Sequence, residues 1–395
     1  MWNNLLVLGN SWIYQVGNQY YGYPQLYFYH LYFKKYFQTI NIIAPVKQSQ
    51  TPKGLPMETF RAIPLPFFNG TLDLLKKCYI LPYIAYQCLK NIPKTDVVFI
   101  STSDPSATLG LLFSSMFGKP TALFVSEDWE KDIIEKFPRK IFQFIFISVI
   151  RLLRYFQFRL LKNKGLIFVT NRSLLSKYNK IPCPVYPCFL SLISEQDISF
   201  KTQRQIHEGE VIRILYVGFL IHGKGVQDLI EAVSILYENG FPYCFRLDIV
   251  GDGDYRKDLE RLVEEKNLKR VYFHGFVGDR SDMKKLYLES DIFVLPSRTE
   301  GIPKVLFEAM AYGTAIIATH VGGVPSVICN RYNGLTVPPR DPYALAEAIS
   351  KLIVDNDLRL NLIANGYDCI KRYTGEIAAE QMYEVLKNEF CLDRN

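Results

Sequence analysis

Short apolar runs that alternate with amphipathic stretches constrain this 395-residue chain more than any other feature. The runs are rich in β-branched and aromatic residues, and they number five in each half: Leu5–Leu8, Ile40–Ala44, Val97–Ser101, Ala122–Val125, Leu166–Val169, Ile212–Val217, Phe245–Val250, Val271–Phe273, Ile292–Leu295 and Ala315–Ala318. Strands that are apolar throughout and alternate with helices predict parallel sheets covered on both faces.

The length predicts more than one domain, since a domain averages about 150 residues. The alternation breaks between about Tyr186 and Val211, where the chain becomes polar. We therefore predict a doubly wound α/β domain over residues 1–190, a linker over 191–210 and a second doubly wound α/β domain over 211–375. Residues 343–389 lack a strand pattern and predict consecutive helices, and we expect a terminal helix over 376–395 that can pack back on the first domain.

The two halves of the chain differ in charge. Residues 1–200 hold 22 Lys and Arg against 11 Asp and Glu, a balance of +11, and the remaining residues hold 24 against 28, a balance of −4. A basic half predicts an anionic partner for that half. Apolar residues make up 49% and charged residues 22% of the chain, which excludes a disordered protein, and eight scattered cysteines exclude a disulfide-built module.

Neither a secretory signal nor a membrane-spanning helix is expected. The uncharged N-terminal stretch has no basic region and is interrupted by polar residues such as Asn3, Asn10 and Gln15. The most apolar candidate for a span, Ile141–Ile150, is half of the roughly 20 residues that a bilayer requires. The expected location is the cytoplasm.

Loops that follow the strands of the second half carry the strongest chemical signals, because ligands bind at the carboxyl ends of parallel strands. Val217–Gly225 combines three glycines with Lys224 just before a helix, which favours an anion such as phosphate. An ordinary turn with a solvated lysine is the alternative. His320–Pro325 is a third loop, where Gly322 and Gly323 permit close backbone approach, although a plain turn explains it equally well.

A second loop and the helix after it, Leu295–Met310, place two carboxylates near the same strand end. Glu300 lies in the loop and Glu308 lies more than a turn inside the helix. Carboxylates accept hydrogen bonds from sugar hydroxyls, and the free amides near Lys304 and Val305 suit a diphosphate. Two solvated glutamates on a capped helix are the alternative, but the apolar neighbours predict a buried helix in which an unpaired carboxylate is costly.

The second half resembles family 4 of the retaining glycosyltransferases, which have the GT-B architecture of two facing Rossmann-like domains. The resemblance is carried in order and spacing by these segments: Tyr216–Gly225, Asp248–Gly253, Phe273–Phe276, Asp291–Pro296, Glu300–Ala311, Gly322–Pro325 and Asn333–Val337. The pair Glu300 and Glu308 is similar to the signature with which that family binds a nucleotide sugar. The resemblance thus implies an α/β protein with two doubly wound parallel sheets and C-terminal helices.

Site residues follow from the resemblance, position by position. It implies that Glu308 holds the ribose hydroxyls and that Glu300 contacts the donor sugar. The diphosphate is implied to lie near Gly218, Lys224 and the segment after Gly301, which comprises Ile302, Pro303, Lys304 and Val305. Phe276 is implied to flank the base. The co-substrate is then a UDP- or GDP-sugar, and no metal is implied.

Two positions depart from the family pattern. Phe219 stands where the family usually has an arginine, and Pro303 has no N–H to offer the diphosphate. Arg298 or Lys304 is our candidate for a cation that compensates.

The first half resembles the family only in outline. We predict that Asn10, in a loop after the first strand, contributes to the acceptor side, and that Asp128 contacts donor sugar or acceptor, with a helix cap as the alternative. On a helical wheel Lys140, Arg151, Arg154 and Lys162 share one stripe with neighbouring aromatics. This stripe favours contact with an anionic membrane surface over nucleic acid or a solvated edge of a core helix.

The resemblance implies a retaining transferase with catalytic residues Glu300, Lys224 and Asp128. It acts on a saccharide acceptor, lipid-linked in our interpretation, in surface polysaccharide synthesis at the inner face of the membrane. A nucleotide-sugar epimerase of the same architecture and a non-catalytic nucleotide-sugar-binding partner are the alternatives.

Overall fold

The computed structural model describes residues 2–9, 13–22, 28, 31–50, 55–57, 60–68, 73–74, 77–101, 105–125, 140–170, 172–178, 181, 183–188, 191–200, 205–207 and 209–391. The chain divides into two compact units. One comprises Met1–Leu192 with Gly375–Asn395, and the other comprises Ile193–Thr374.

The strands described in the first unit form one mostly parallel sheet. They are Asn4–Gly9 (β1), Ile13–Val16 (β2), Gln19–Gly22 (β3), Thr39–Gln48 (β4), Leu55–Pro56 (β5), Arg61–Leu65 (β6), Val97–Ser101 (β7), Thr121–Val125 (β8), Gly165–Val169 (β9) and Val185–Pro187 (β10). Strands β10, β9, β8, β7, β1, β4 and β6 lie side by side in that order and run parallel. The short strands β2, β3 and β5 extend the sheet from the carboxyl end of β4.

The helices described before residue 193 in this unit are Leu81–Asn91 (α1), Pro105–Met116 (α2), Lys140–Leu161 (α3) and Arg172–Tyr178 (α4). Helix α2 packs between α1 and α3. The inner sides of these helices bury Ile84, Leu111 and Leu161 against one face of the sheet. Among the described helices, none is both long and apolar enough to cross a bilayer.

The second unit has a sheet in which every described strand runs parallel. Its strands are Val211–Val217 (β11), Cys244–Val250 (β12), Val271–Gly275 (β13), Ile292–Leu295 (β14), Ala315–Thr319 (β15) and Leu335–Val337 (β16). Its helices are Val226–Glu238 (α5), Arg256–Glu265 (α6), Arg280–Glu289 (α7), Lys304–Ala311 (α8), Pro342–Val354 (α9) and Asn356–Ile370 (α10). Strand order is β13, β12, β11, β14, β15, β16. The order reverses between β11 and β14, the place where such sheets bind ligands.

Side chains of β11 show how this sheet is covered. Ile212, Ile214 and Tyr216 point into the core on one face, and Leu215 and Val217 point into the core on the other. Because successive residues of a strand point to opposite faces, only an apolar run can fill both cores. The predicted parallel sheets with two covered faces are confirmed.

The chain returns to the first unit after residue 374. Helix Gly375–Cys391 (α11) buries Ala379, Met382 and Leu386 in the first unit's core, and Tyr383 stacks on Tyr36 with ring centroids 4.5 Å apart. At the other junction, residues within the predicted linker pack on the second unit. The Ser199 amide donates to Ala311, and the Tyr367 hydroxyl donates to the Ser199 carbonyl at 2.9 Å.

Candidate active site

Two loops of the second unit meet at the carboxyl ends of the paired strands β11 and β14. The Arg298 amide donates to the Gly223 carbonyl at 2.9 Å. Gly225 has φ +67°, and a Cβ there would lie 2.0 Å from the Pro296 carbonyl oxygen. Only glycine fits this position, so the backbone contact between the loops depends on Gly225.

Lys224 and Glu300, predicted on separate loops, form an ion pair across this contact. Lys224 Nζ lies 2.7 Å from Glu300 Oε1, and the Ser297 hydroxyl donates to the same oxygen at 2.6 Å. The Glu300 side chain is 8% exposed and that of Lys224 is 23% exposed. A cation and a carboxylate with restricted access to water are thus held together at the carboxyl ends of the strands.

Arg298 also joins the same two loops. Its guanidinium donates twice to Asp228, from Nε to Oδ2 at 3.2 Å and from Nη2 to Oδ1 at 2.8 Å. Its Nη1 also lies 2.9 Å from Nε2 of His222, which begins the 3₁₀ turn His222–Lys224. Asp228 thus holds the guanidinium of Arg298 through two hydrogen bonds, and the role of Arg298 as the compensating phosphate cation stays a prediction.

Loss of Arg298 should therefore affect stability as well as ligand binding. We expect Arg298→Met to lower the free energy of unfolding by about 2 kcal/mol, because it leaves the poorly exposed Asp228 carboxylate without its cation. Urea denaturation measures this, and Arg298→Met/Asp228→Asn should recover part of the loss. Unchanged stability with reduced donor affinity would instead make Arg298 a direct ligand of the diphosphate.

The third loop packs against the backbone of Glu300 and Gly301. Gly322 has φ +51°, and a Cβ there would lie 1.8 Å from the Glu300 carbonyl oxygen. The Gly323 amide donates to the Gly301 carbonyl at 2.9 Å, and the Thr319 hydroxyl donates to the Ser297 carbonyl. The close approach that the paired glycines permit is therefore to the neighbouring loop.

The first amides of helix α8 lie at the end of the loop that follows β14. Pro303 is extended, with ψ 116°, and immediately precedes the helix instead of occupying its first turn. Its missing N–H thus costs the helix nothing, and the amides of Lys304 and Val305 have no acceptor within the helix. Burial lowers the pKa of Lys304, and Glu308 one turn later partly offsets this.

Glu308 is held by Tyr287 of α7, whose hydroxyl donates to Oε2 at 2.9 Å. Burial raises the pKa of Glu308, and the hydrogen bond from Tyr287 and the charges of Arg280 and Lys304 oppose that shift. The pKa of Tyr287 is raised well above its usual value, first by burial and then by Glu308, so its hydroxyl remains a donor at neutral pH. One carboxylate oxygen is fixed in this way.

The raised pKa of Glu308 gives a pH prediction for donor binding. Because the pKa of Glu308 is raised above the ordinary value of about 4.3, its carboxylate is protonated at a higher pH than other glutamates are. In its predicted role it then accepts fewer hydrogen bonds from the ribose hydroxyls. Donor affinity should fall on acidification before ordinary carboxylates titrate. Calorimetry with a UDP- or GDP-sugar between about pH 5 and 8 measures this. In Glu308→Gln the affinity should be lower and flat, and an unaltered pH slope in that variant would contradict the assignment.

Exposed apolar side chains follow β11 and β13. Phe276 is 75% exposed, Phe219 is 71% exposed and Ile221 is 46% exposed. The loops that carry them are joined through the loop after β12, where the Leu220 amide donates to the Asp252 carbonyl and a Cβ on Gly251 would lie 1.8 Å from the Gly218 carbonyl oxygen. The exposed ring of Phe276 is accessible to a flat ligand, and its contact with the base stays a prediction. The loop within Asp248–Gly253 links the other two loops.

Comparison with known proteins identifies the segment that contains these loops. Residues 197–368 match the family model of the glycosyl transferases group 1. This segment is a glycosyl transferases group 1 domain. Membership of family 4 itself remains a prediction.

Relatives of the group 1 domain include glycosyltransferases of several kinds. An uncharacterized glycosyltransferase of Methanocaldococcus jannaschii is 32% identical over 200 residues, which are 50% of this chain and 50% of the relative. The N,N'-diacetylbacillosaminyl-diphospho-undecaprenol alpha-1,3-N-acetylgalactosaminyltransferase of Campylobacter jejuni is 29% identical over 78% of this chain and 81% of the relative. The chain spans about half the length of the first relatives it matches.

Solved structures resemble the whole chain. Sucrose-phosphate synthase of Thermosynechococcus elongatus has a TM-score of 0.72 at 18% identity and covers 99% of this chain and 100% of its own. HepE of Anabaena, crystallised with UDP, has a TM-score of 0.70 at 17% identity and covers 98% and 100%. At such identity the likeness confirms the predicted GT-B fold alone.

Outside the group 1 domain the predicted site residues do not form one site in the part of the chain that the structure describes. Asn10 and Asp128 lie outside the described residues. Lys140, Arg151 and Lys162 are exposed on or just after α3. Arg154 is 7% exposed and its guanidinium lies over the Tyr178 ring at 5.8 Å. The prediction that Arg154 faces a membrane is wrong, because its part of the wheel turns toward α4.

Sequence reasoning missed the residues that hold the predicted ones in place. Each of four such residues contacts a residue predicted to bind the donor: Ser297, Tyr287, Asp228 and His222. Tyr287 and Asp228 lie on helices that are remote in sequence from the residue they contact. Tyr287 sits 21 positions before Glu308, and no periodic pattern predicts that contact. Only the fold brings such pairs together.

Proposed function

We propose that this chain is a retaining glycosyltransferase that moves a sugar from a nucleotide diphosphate sugar to a saccharide acceptor. The observation that carries the proposal is the ion pair of Lys224 with Glu300 in the loop that leads into α8, the helix whose first amides are unpaired and which also carries Glu308, within a group 1 domain. Cations and amides suit the diphosphate, and carboxylates suit hydroxyls.

Each group has a task in the proposed reaction. Glu308 accepts hydrogen bonds from the ribose, Glu300 orients the donor sugar, and Phe276 covers the base. The bond between the anomeric carbon and the phosphate oxygen breaks while the acceptor oxygen bonds to that carbon on the same face. The acceptor's proton passes to the departing diphosphate. Lys224 and the amides of Lys304 and Val305 stabilise the charge that develops there.

Because fixed cations and amides serve the leaving group, we propose that transfer requires no added metal ion. Activity in excess EDTA should equal activity without it. Loss of activity in EDTA, restored by Mg²⁺ or Mn²⁺, would contradict this point.

A lipid-linked saccharide is our proposed acceptor, in the synthesis of a surface polysaccharide at the inner face of the cell membrane. The name of the Campylobacter jejuni relative, which aligns with much of both units, states a diphospho-undecaprenol-linked substrate for that protein. An amylovoran biosynthesis glycosyltransferase of Erwinia amylovora is also similar, with 29% identity over 58% of this chain. The basic balance of the first half suits an anionic diphosphate-linked acceptor.

The experiment that tests the proposal measures nucleoside diphosphate release. UDP- and GDP-sugars are first screened for thermal stabilisation, since a ligand that binds the native state raises its stability. The stabilising donor is then supplied with and without a membrane extract that contains lipid-linked saccharides. A transferase releases nucleoside diphosphate rapidly only with acceptor. Conversion of the donor to an isomer without acceptor would make the protein an epimerase, and binding without either reaction would make it a non-catalytic partner.

A further inference from the structure

The exposed apolar side chains of the first unit lie together on one surface. In the part of this unit that the structure describes, every large hydrophobic side chain with high exposure lies on α1, α2 or α3 or within two residues of one of them. They are Tyr79, Tyr83, Tyr86, Leu89, Leu112, Met116, Phe117, Phe144, Val149, Leu152, Tyr155 and Phe156, which we call the apolar helical face. Since α2 packs between α1 and α3, these side chains form one layer on the side away from the sheet.

Several side chains of this layer are mostly exposed although they are large and apolar. Phe144 is 74% exposed, Tyr79 is 72% exposed and Met116 is 65% exposed, while the same helices bury other apolar residues in the core. Single exposed hydrophobic residues are common, but a contiguous layer across three helices marks a surface that another apolar phase or protein covers.

The charge on these helices has one sign. None of α1, α2 and α3 contains an aspartate or glutamate. Cations border the aromatic rings, with Lys90 over the Tyr86 ring at 5.8 Å and Arg159 donating to the Tyr155 hydroxyl at 3.0 Å. Tyrosines and phenylalanines rimmed by lysine and arginine suit the boundary between lipid headgroups and acyl chains.

A groove of about 860 Å³ borders the apolar helical face where α2 ends. Phe117 belongs to both, and Lys119, Lys162, Lys164 and Lys387 line the groove. Its two acidic residues are already engaged: Asp96 accepts from the amides of Asn3 and Asn4, and Glu389 accepts from the Tyr186 hydroxyl. Lys387 pairs with Glu384 at 3.5 Å, so Lys119, Lys162 and Lys164 are the lysines that face phosphate groups at the border of the apolar layer.

We propose that the apolar helical face and this lysine groove dock the protein on an anionic lipid bilayer. The aromatic and aliphatic side chains enter the headgroup boundary, and the lysines meet headgroup phosphates. The surface replaces the predicted stripe through Arg154, since that residue is buried. The inference deepens the proposed function, for it places the protein where a lipid-linked acceptor resides. Charge complementarity favours a bilayer over a second copy, because two copies of this face would oppose like charges.

Flotation with vesicles tests the docking surface. The full chain is mixed with phosphatidylcholine vesicles that contain or lack phosphatidylglycerol. Binding should require phosphatidylglycerol. Leu152→Glu/Phe156→Glu should weaken binding at least tenfold, because carboxylates enter the boundary and meet anionic lipid, and Lys162→Glu/Lys164→Glu should do the same through lost headgroup contacts. Tyr343→Glu/Val354→Glu alters side chains of the second unit that are 73% and 66% exposed and should leave binding unchanged.

Three results would overturn the proposal. These are equal binding to neutral and anionic vesicles, full binding by Leu152→Glu/Phe156→Glu with its thermal unfolding intact, and a dimer in light scattering that this variant dissociates. The last would assign the face to a second copy. Flotation is independent of catalysis: Glu300→Gln should bind vesicles like the native chain, so a failure of the transferase proposal leaves this test valid.

Discussion

Lys224→Met is expected to lower kcat/KM for sugar transfer by about 10²–10³-fold, the effect of removing one preorganised group that stabilises developing charge. Its ammonium is the side-chain cation nearest Glu300, held at 2.7 Å, and methionine keeps the stem while removing the charge. Initial rates with the stabilising donor and its acceptor measure the effect. Because the charge grows as the bond to phosphate breaks, kcat should fall more than donor affinity.

The matched control for this variant is Lys285→Met, which removes an exposed lysine from α7 of the same unit. It should transfer sugar at the native rate. If Lys224→Met keeps native kcat and only its KM rises, Lys224 binds the ground state and does not stabilise the departing diphosphate.

Glu300→Gln should cost about 10²-fold or more in kcat, because the amide cannot accept from the donor hydroxyls with both oxygens and no longer fixes Lys224. The side chain is 8% exposed and sits between Lys224 and Ser297, so its geometry is set before the donor arrives. Single-turnover rates at saturating donor measure the change apart from binding.

The control for Glu300 is Glu264→Gln, at an exposed position on α6. It should leave rate and stability unchanged. Transfer at the native rate by Glu300→Gln, with a folded chain by thermal unfolding, would remove Glu300 from the mechanism.

Much of the fold was predictable because few structural environments accommodate a run in which every residue is apolar. Strands such as β7 and β8 are buried at every residue, and only a central parallel strand accommodates that pattern. Six strands escaped prediction because they lie at sheet edges or are short, so their residues alternate weakly: β2, β3, β5, β6, β10 and β16. The packing of residues 193–200 on the second unit rests on contacts such as Asp197 with Arg280, which a polar composition does not reveal.

The site was predictable to the level of its loops. Glycines and carboxylates at strand ends located Lys224, Glu300 and Glu308 because parallel strands share one carboxyl edge. The ion pair of Lys224 with Glu300 spans 76 positions and depends on the order of β11 and β14, which no local pattern contains. Arg154 shows the same limit: a helical wheel gives the angle of a residue but not which side packs against a neighbour.

The charge difference between the halves gains meaning from the structure. Under the proposed function the second unit needs no overall positive balance, because Lys224, Lys304 and the first amides of α8 supply positive charge locally. The basic excess of the first half falls on and beside α3 and on the lysine groove, where Arg159, Lys162 and Lys164 lie.

Titration calorimetry of the full chain with UDP and GDP tests the central claim, that the second unit binds a nucleoside diphosphate at the edge formed by β11, β14 and α8. One nucleotide should bind with 1:1 stoichiometry. Lys224→Met/Glu308→Ala should weaken it at least tenfold, the cost of a lost charge-assisted contact, while Lys285→Met should bind normally. Native affinity in the double variant, or no binding of either nucleotide to the native chain, would contradict the account.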